Sequence, residues 1–223
     1  MPKSMLQSVG SRWRALFGGA PAQPISAASA VLRVEHALRA YSPAPGEPEW
    51  PSAAFVSDPS AIDNPILEFF RAYWQGKCGG RAMPARADIA LGDFAKYLAM
   101  VSLFDATPPF ADFRFRVIGT RVAQKFNVDD TGRTLRQACV EAGASPARTE
   151  QVVATFRAAC ETHRPVRATI GAGQWHGQYM SDFDALYLPL SDDGTTVNMV
   201  LTVIVFNYET FARTGDSGAL LRN

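Results

Sequence analysis

The chain has 223 residues, 22 of them basic and 21 acidic, a formal net charge of +1 and 47% hydrophobic residues. This length suits one ordinary domain with an extension, or two small ones, with a globular composition, and the balanced charge excludes a global field for nucleic acid or an acidic partner. Cys78, Cys139 and Cys160 are odd in number and lack a C-x-x-C pair, so they read as reduced thiols; with no apolar run of the ~18 residues a span needs and no secretory leader pattern, a cytoplasmic location is expected.

Residues 1–62 differ in character from the rest. Met5, Leu6, Val9, Trp13, Leu16 and Phe17 recur at helical spacing, with Lys3, Arg12 and Arg14 off that stripe, which predicts a short basic amphipathic helix. Ala27, Ala30, Val31, Val34, Ala37, Leu38 and Tyr41 predict a second helix. Pro43, Pro45, Pro48, Pro51 and Pro59 then mark a semi-extended linker, because proline fixes φ and donates no backbone hydrogen bond. The reading is therefore a helical extension with a proline-rich linker over 1–62, a domain over 63–210 and a flexible tail over 211–223.

Asn64-Pro65 is a cap-then-proline signal that starts a helix, with Ile66, Phe69, Phe70, Tyr73 and Trp74 on its apolar face and Gly76, Gly79 and Gly80 at its end. A helical turn is expected near Leu91 to Tyr97, then a strand over Met100 to Asp105. From Phe113 to Ile118 the pattern alternates, placing Phe113, Phe115 and Val117 on one face and Arg114 and Arg116 on the other. Two short helices fill Arg121 to Ala142 around an Asp130-Thr131-Gly132 turn. Ser145-Pro146 starts a longer helix with Val152, Phe156, Ala159 and Cys160 on its face, ended by His163-Arg164-Pro165. Strands follow near Val166 to Ile170, Asp182 to Leu190 and Val197 to Asn207, the last two joined as a hairpin through Ser191-Asp192-Asp193-Gly194. Two strands, inserted helices and three more strands suit an α+β fold, one five-stranded antiparallel sheet with helices on one face.

Several segments in this order carry a family resemblance: Tyr73-Trp74, Gly79-Gly80-Arg81, Met83-Pro84-Ala85-Arg86-Ala87-Asp88-Ile89, Phe113 through Gly119-Thr120, Thr131-Gly132-Arg133-Thr134-Leu135, and Leu188 through Gly194. Together they resemble a bacterial group of small proteins with a PAS-like domain, over about Asn64 to Asn207. The resemblance implies a sheet cupping a pocket against short helices, and signal transduction by ligand binding or protein contact. It singles out Trp74, Arg81, Pro84, Arg86, Asp88, Gly119, Thr120, Gly132 and Arg133 as family motif residues. Physically, Gly119 and Gly132 suit tight turns or close backbone approach, and Arg86 with Asp88 suits an ion pair or a helix cap.

Other constellations have plainer readings. Gly215-Asp216-Ser217-Gly218 copies a serine-protease nucleophile segment but has no chain after it for the strands that such a fold needs. Cys160 and His163 stand at i, i+3, yet two ligands do not make a metal site. His163 lies where some haem-binding PAS domains supply an axial ligand, but its place against Pro165 reads as a helix C-cap facing the dipole. Cys139 lacks the neighbours of a flavin photoadduct cysteine. Gly171, Gly173 and Gly177 lie between strands, which denies them a phosphate-cradling helix. Asp182 and Asp184 read as a solvated strand edge. No haem, flavin or metal is favoured, and the cofactor is left unknown.

Phe104, Phe115, Val117, Phe126, Phe156, Leu188, Val203 and Val205 are the candidate pocket lining; the plainer reading is that they fill the core. Their apolar character argues against an enzyme. With no room for a kinase, cyclase or DNA-binding output after Asn207, the expectation is a stand-alone PAS-like signalling protein that senses a small ligand or regulates a partner protein through its flanking helices. A homodimer is expected from the resemblance, with peripheral membrane contact through residues 3–17 as a further option. The alternative is a ligand-free scaffold or localisation adaptor, and a cavity above ~300 Å³ would favour sensing over it.

Overall fold

The computed structural model describes residues 53–56, 64–170, 173–175, 178–180 and 182–206. The segments read as N-terminal helices and the tail from 211 lie outside the described residues.

Helix α1, Pro65–Lys77, opens as its sequence dictates: the Asn64 side chain accepts from the Ile66 and Leu67 amides, and Pro65 occupies the first turn. Two 3-10 segments follow, Arg86–Asp88 and Leu91–Met100. Strands β2 (Val101–Ala106) and β3 (Phe113–Val117) come next, then helices α2 (Thr120–Phe126), α3 (Leu135–Glu141) and α4 (Pro146–Thr162). Ser145 caps α4 by accepting from the Arg148 amide, and Thr134 caps α3 through a reciprocal pair with Gln137. Strand β4 is Val166–Ile170, a small hairpin pairs β5 (Gly173–Trp175) with β6 (Gln178–Met180), and β7 (Phe183–Leu190) and β8 (Met199–Phe206) close the domain.

The five expected strands pair antiparallel in the order β4-β7-β8-β2-β3, and a sixth extends the sheet. That strand, β1 (Ala53–Val56), lies inside the segment read as a linker and pairs antiparallel with β4. Its AAFV sequence, between Pro51 and Pro59, is free of proline, so its backbone can supply every ladder hydrogen bond. At the other rim, the Phe115 amide donates to Arg133 O at 3.0 Å and the Gly132 amide donates to Phe115 O at 2.7 Å, so the Gly132–Thr134 segment lies along β3.

Helices cover both faces of the sheet, where one covered face was expected. Helix α4 packs against β4, β7 and β8, with Phe156 stacked edge-on against Tyr187 at 4.8 Å. Helix α1 also packs against β7 and β8, and the Trp74 indole N–H donates to Pro189 O at 2.7 Å. The face of β7 and β8 turned away from α4 carries Leu186, Leu188, Val203 and Val205, all fully buried. Both faces are thus dry, which is why β7 and β8 read as near-continuous apolar runs.

One charged group differs from its sequence reading. Asp184 is no solvated edge: it is buried and accepts from Arg167 Nη2 at 2.9 Å and from Thr169 Oγ1 at 2.7 Å across the β4–β7 ladder. His163 is the left-handed C-cap of α4, as its place before Pro165 implies, and burial lowers its pKa, opposed by Asp193.

The β7–β8 connection is held by Asp193. Its Oδ1 accepts from Ser191 Oγ, the Thr195 amide and hydroxyl, and the Thr196 amide, at 2.7 to 3.0 Å. Desolvation pushes this carboxyl upward, but those hydrogen bonds prevail and hold it well below the usual range. A carboxyl depressed on folding contributes stability above its unfolded pKa of about 3.9, and that contribution is lost as the pH falls towards the folded value. Asp193 is exposed, so Asp193→Ala should cost no more than about 1 kcal/mol at pH 7. Urea melts should show the gap between wild type and variant closing below about pH 4; a gap that persists unchanged at pH 2.5 would contradict the assignment.

Candidate functional site

A cavity of about 130 Å³ lies between the sheet and α2–α4. Its apolar wall is a chain of rings: Phe104 lies 4.5 Å from Phe115 and 4.6 Å from Phe156, and Phe126 lies 5.9 Å from Phe183. Ile118, Val122, Ala123, Val128 and Leu135 close it from the helical side, and Ala168, Ile170 and Ile204 line the sheet side.

Four of the eight pocket candidates, Phe104, Phe115, Phe126 and Phe156, line this cavity, and Val117, Leu188, Val203 and Val205 do not. For β7 and β8 the reason is register. Tyr187 faces Thr202 across the ladder and both line the cavity, whereas Leu188 faces Leu201 and Leu186 faces Val203 on the opposite side of the sheet. The wholly apolar stripe of β8 therefore belongs to the filled layer, and the stripe with Thr202 and Ile204 belongs to the cavity.

For β3 the reason is a bulge. Phe115 pairs with Phe104 and Val117 with Leu103, and the register shifts between the two pairs. Leu103 and Phe104 are adjacent and point to opposite faces, so their partners do too, although Phe115 and Val117 are two residues apart. The extra residue, Arg116, forms an ion pair with Asp105.

The polar part of the wall was not singled out by the sequence. Arg148, Gln151 and Thr155 from α4 are 4%, 5% and 6% exposed and all line the cavity, with Val152 and Phe156 between them. Arg148 Nη1 donates to Gln151 Oε1, and Thr155 Oγ1 donates to Gln151 O at 3.1 Å. Ser102, Thr202 and Tyr187 face them from the sheet, and Asp130 comes from the α2–α3 connection. Burial pushes the Tyr187 phenol up, which keeps it a neutral donor and acceptor. The signal that could have found this wall is the spacing 148, 151, 152, 155, 156 and 159 on α4, one helical face that mixes polar and apolar residues.

The motif residues are architectural neighbours of this site. Arg81 donates to Cys78 O and Lys77 O and pairs with Asp88 at 2.6 Å. Asp88 also accepts from the Ala85 amide and so caps the Arg86–Asp88 turn, the second of its two expected roles, while its ion-pair partner is Arg81 and not Arg86. Pro84 O accepts from the Ser191 amide and the Arg86 amide donates to Asp192, which docks this segment on the β7–β8 connection. Thr120 begins α2 directly after Gly119, and Gly132 sits at φ +88°, where only glycine is unstrained. Arg133 pairs with Asp130 at 3.3 Å and with Glu141.

A family model for the PAS domain matches residues 62–205. The chain belongs to the PAS domain family. No curated protein and no solved structure matches it. PAS domains are generally sensory rather than catalytic, and the cavity of this PAS domain occupies the place, between sheet and helices, that the resemblance implied. Among the described residues no group of three or more metal-ligating side chains occurs, and no helix is long and apolar enough to cross a membrane. All three cysteines are buried and free, and burial pushes the Cys139 thiol up to about 12. Neither Cys139 nor His163 lines the cavity.

Proposed function

We propose that this PAS protein is a sensor that binds a small ligand in its cavity and regulates a partner protein through the helical segments flanking the domain. The observation that carries the reading is the cavity itself: a ring-lined interior into which α4 turns a buried arginine, glutamine and threonine. A cavity meant only to be filled would be better served by apolar side chains, since buried ions cost several kcal/mol each to desolvate. Among the described residues the lining includes one carboxylate, Asp130, and is otherwise mostly apolar, which supports binding over catalysis. Ligand and partner would act on one equilibrium between two states.

A ligand-free scaffold or localisation adaptor, cytoplasmic or held at the membrane face through residues 3–17, is the second reading. It is favoured by one observation: about 130 Å³ is below the ~300 Å³ at which drug-sized sites begin. Native mass spectrometry with an absorbance spectrum, on freshly purified full-length protein, separates the two. The expected result is a homodimer that carries extra mass of one small molecule per chain. A bare polypeptide mass at every concentration would favour the scaffold, and a monomer throughout would remove the dimer.

A further inference from the structure

Among the described residues, nothing hydrogen-bonds to the Tyr187 hydroxyl, although Tyr187 lines the cavity and is only 8% exposed. A buried tyrosine hydroxyl ordinarily has a partner, so one without it in a cavity wall points to something that enters the cavity. The ring is fixed by Phe156 at 4.8 Å and by the pairing of Tyr187 with Thr202 across the ladder. Burial pushes the phenol up against the opposing pull of Arg148, so the proton stays on the oxygen and can be donated. The other polar side chains of the wall are engaged inside the protein. Thr155 Oγ1 donates to Gln151 O at 3.1 Å, Thr202 Oγ1 donates to Ser102 O at 3.5 Å, and Ser102 Oγ accepts from the Gly119 amide at 3.3 Å. Arg148 donates to Gln151 Oε1, Asp130 pairs with Arg133, and both have further partners. With those charges matched, an ionic ligand would bring an uncompensated charge into a dry site, at a high desolvation cost. The volume, about 130 Å³, is close to the ~150 Å³ that encloses a single benzene ring.

We propose that the cavity takes a compact neutral molecule of about single-ring size carrying one oxygen, which accepts a hydrogen bond from the Tyr187 hydroxyl while the apolar body lies among Phe104, Phe126 and Phe156. This rests on the reading of the cavity as a ligand site and deepens it by naming the ligand's charge, its size and the residue that anchors it. The rings supply faces and edges for the body, and the single donor sets where the oxygen sits.

The test uses phenol, toluene and benzoate as probes of equal ring size, titrated at neutral pH into the full-length protein and followed by amide chemical shifts. The expected result on wild type is that phenol and toluene shift the resonances of α4 and β7, and that benzoate binds at least about ten-fold more weakly than phenol. In Tyr187→Phe phenol should weaken about ten-fold and toluene should bind as before, a comparison in which the different hydration of the two probes cancels. The ligand-free variant should melt no lower than wild type, because the hydroxyl it loses has no protein partner to leave behind. Should Tyr187→Phe fail to fold, the hydroxyl serves the protein itself and the anchor is wrong. Phenol and toluene weakening alike, phenol unaffected by the substitution, or benzoate ranking first each overturns the neutral, Tyr187-anchored ligand and leaves the cavity as a ligand site. Absence of binding by all three at millimolar concentration overturns the ligand-site reading with it.

Discussion

Gly119→Ala is expected to cost about 3 kcal/mol, a large share of the 5–15 kcal/mol that holds a typical domain together. Conformation is not the cause, because φ −61° and ψ 141° suit any residue. Space is the cause. A Cβ at this position would stand 2.5 Å from Ala99 O and 2.7 Å from Val101 O, both backbone atoms that cannot swing aside. Relief would need the start of β2 or of α2 to move, and β2 sits between β8 and β3 with Ser102 and Phe104 at the cavity wall. Calorimetry should show a melting point lower by roughly 6–12 °C. Gly76→Ala in α1, where nothing lies within 4 Å, is the control and should be neutral or stabilising by up to about 1 kcal/mol. A Gly119→Ala loss no larger than the control's change would refute the close-approach argument.

Leu188→Ala should also lose about 3 kcal/mol, for a different reason. Its side chain is fully buried in the layer between the sheet and α1, opposite Leu201, where truncation leaves a void that packed neighbours fill only in part. The cavity lies on the other side of the sheet, so probe binding to the folded variant should match wild type. Urea unfolding gives the first quantity and titration of the folded variant gives the second. If Leu188→Ala were to keep its stability and lose ligand binding, the assignment of the two faces would be inverted.

The parts of the fold set by local chemistry were legible. Asn64-Pro65 and Ser145-Pro146 mark the starts of α1 and α4, and β4 falls on its predicted residues, because caps and alternation act within a few residues of themselves. The choice of face was not legible. Along β8 the apolar stripe through Leu201, Val203 and Val205 looks like a pocket lining only if one side of the sheet is dry; here α1 dries the other side and takes that stripe. The bulge at Arg116 breaks alternation in β3 without any glycine to signal it. On α4, Arg148, Gln151 and Thr155 resemble a solvated edge until the cavity beneath them is known. Asp184 misleads in the same way, because its partners Arg167 and Thr169 come from a neighbouring strand. The motif residues were placed by resemblance, and their geometry shows them fixing connections around the site.

The two rims of the sheet bear on how this protein meets others. An open strand edge is a template on which another chain can lay a strand, in recognition or in aggregation. Here one rim ends in β1, only four residues long, and at the other the Phe115 backbone is already engaged by Gly132 and Arg133. A peptide seeking to add itself beside β3 would first have to displace that segment, whose turn is fixed by a glycine at φ +88°.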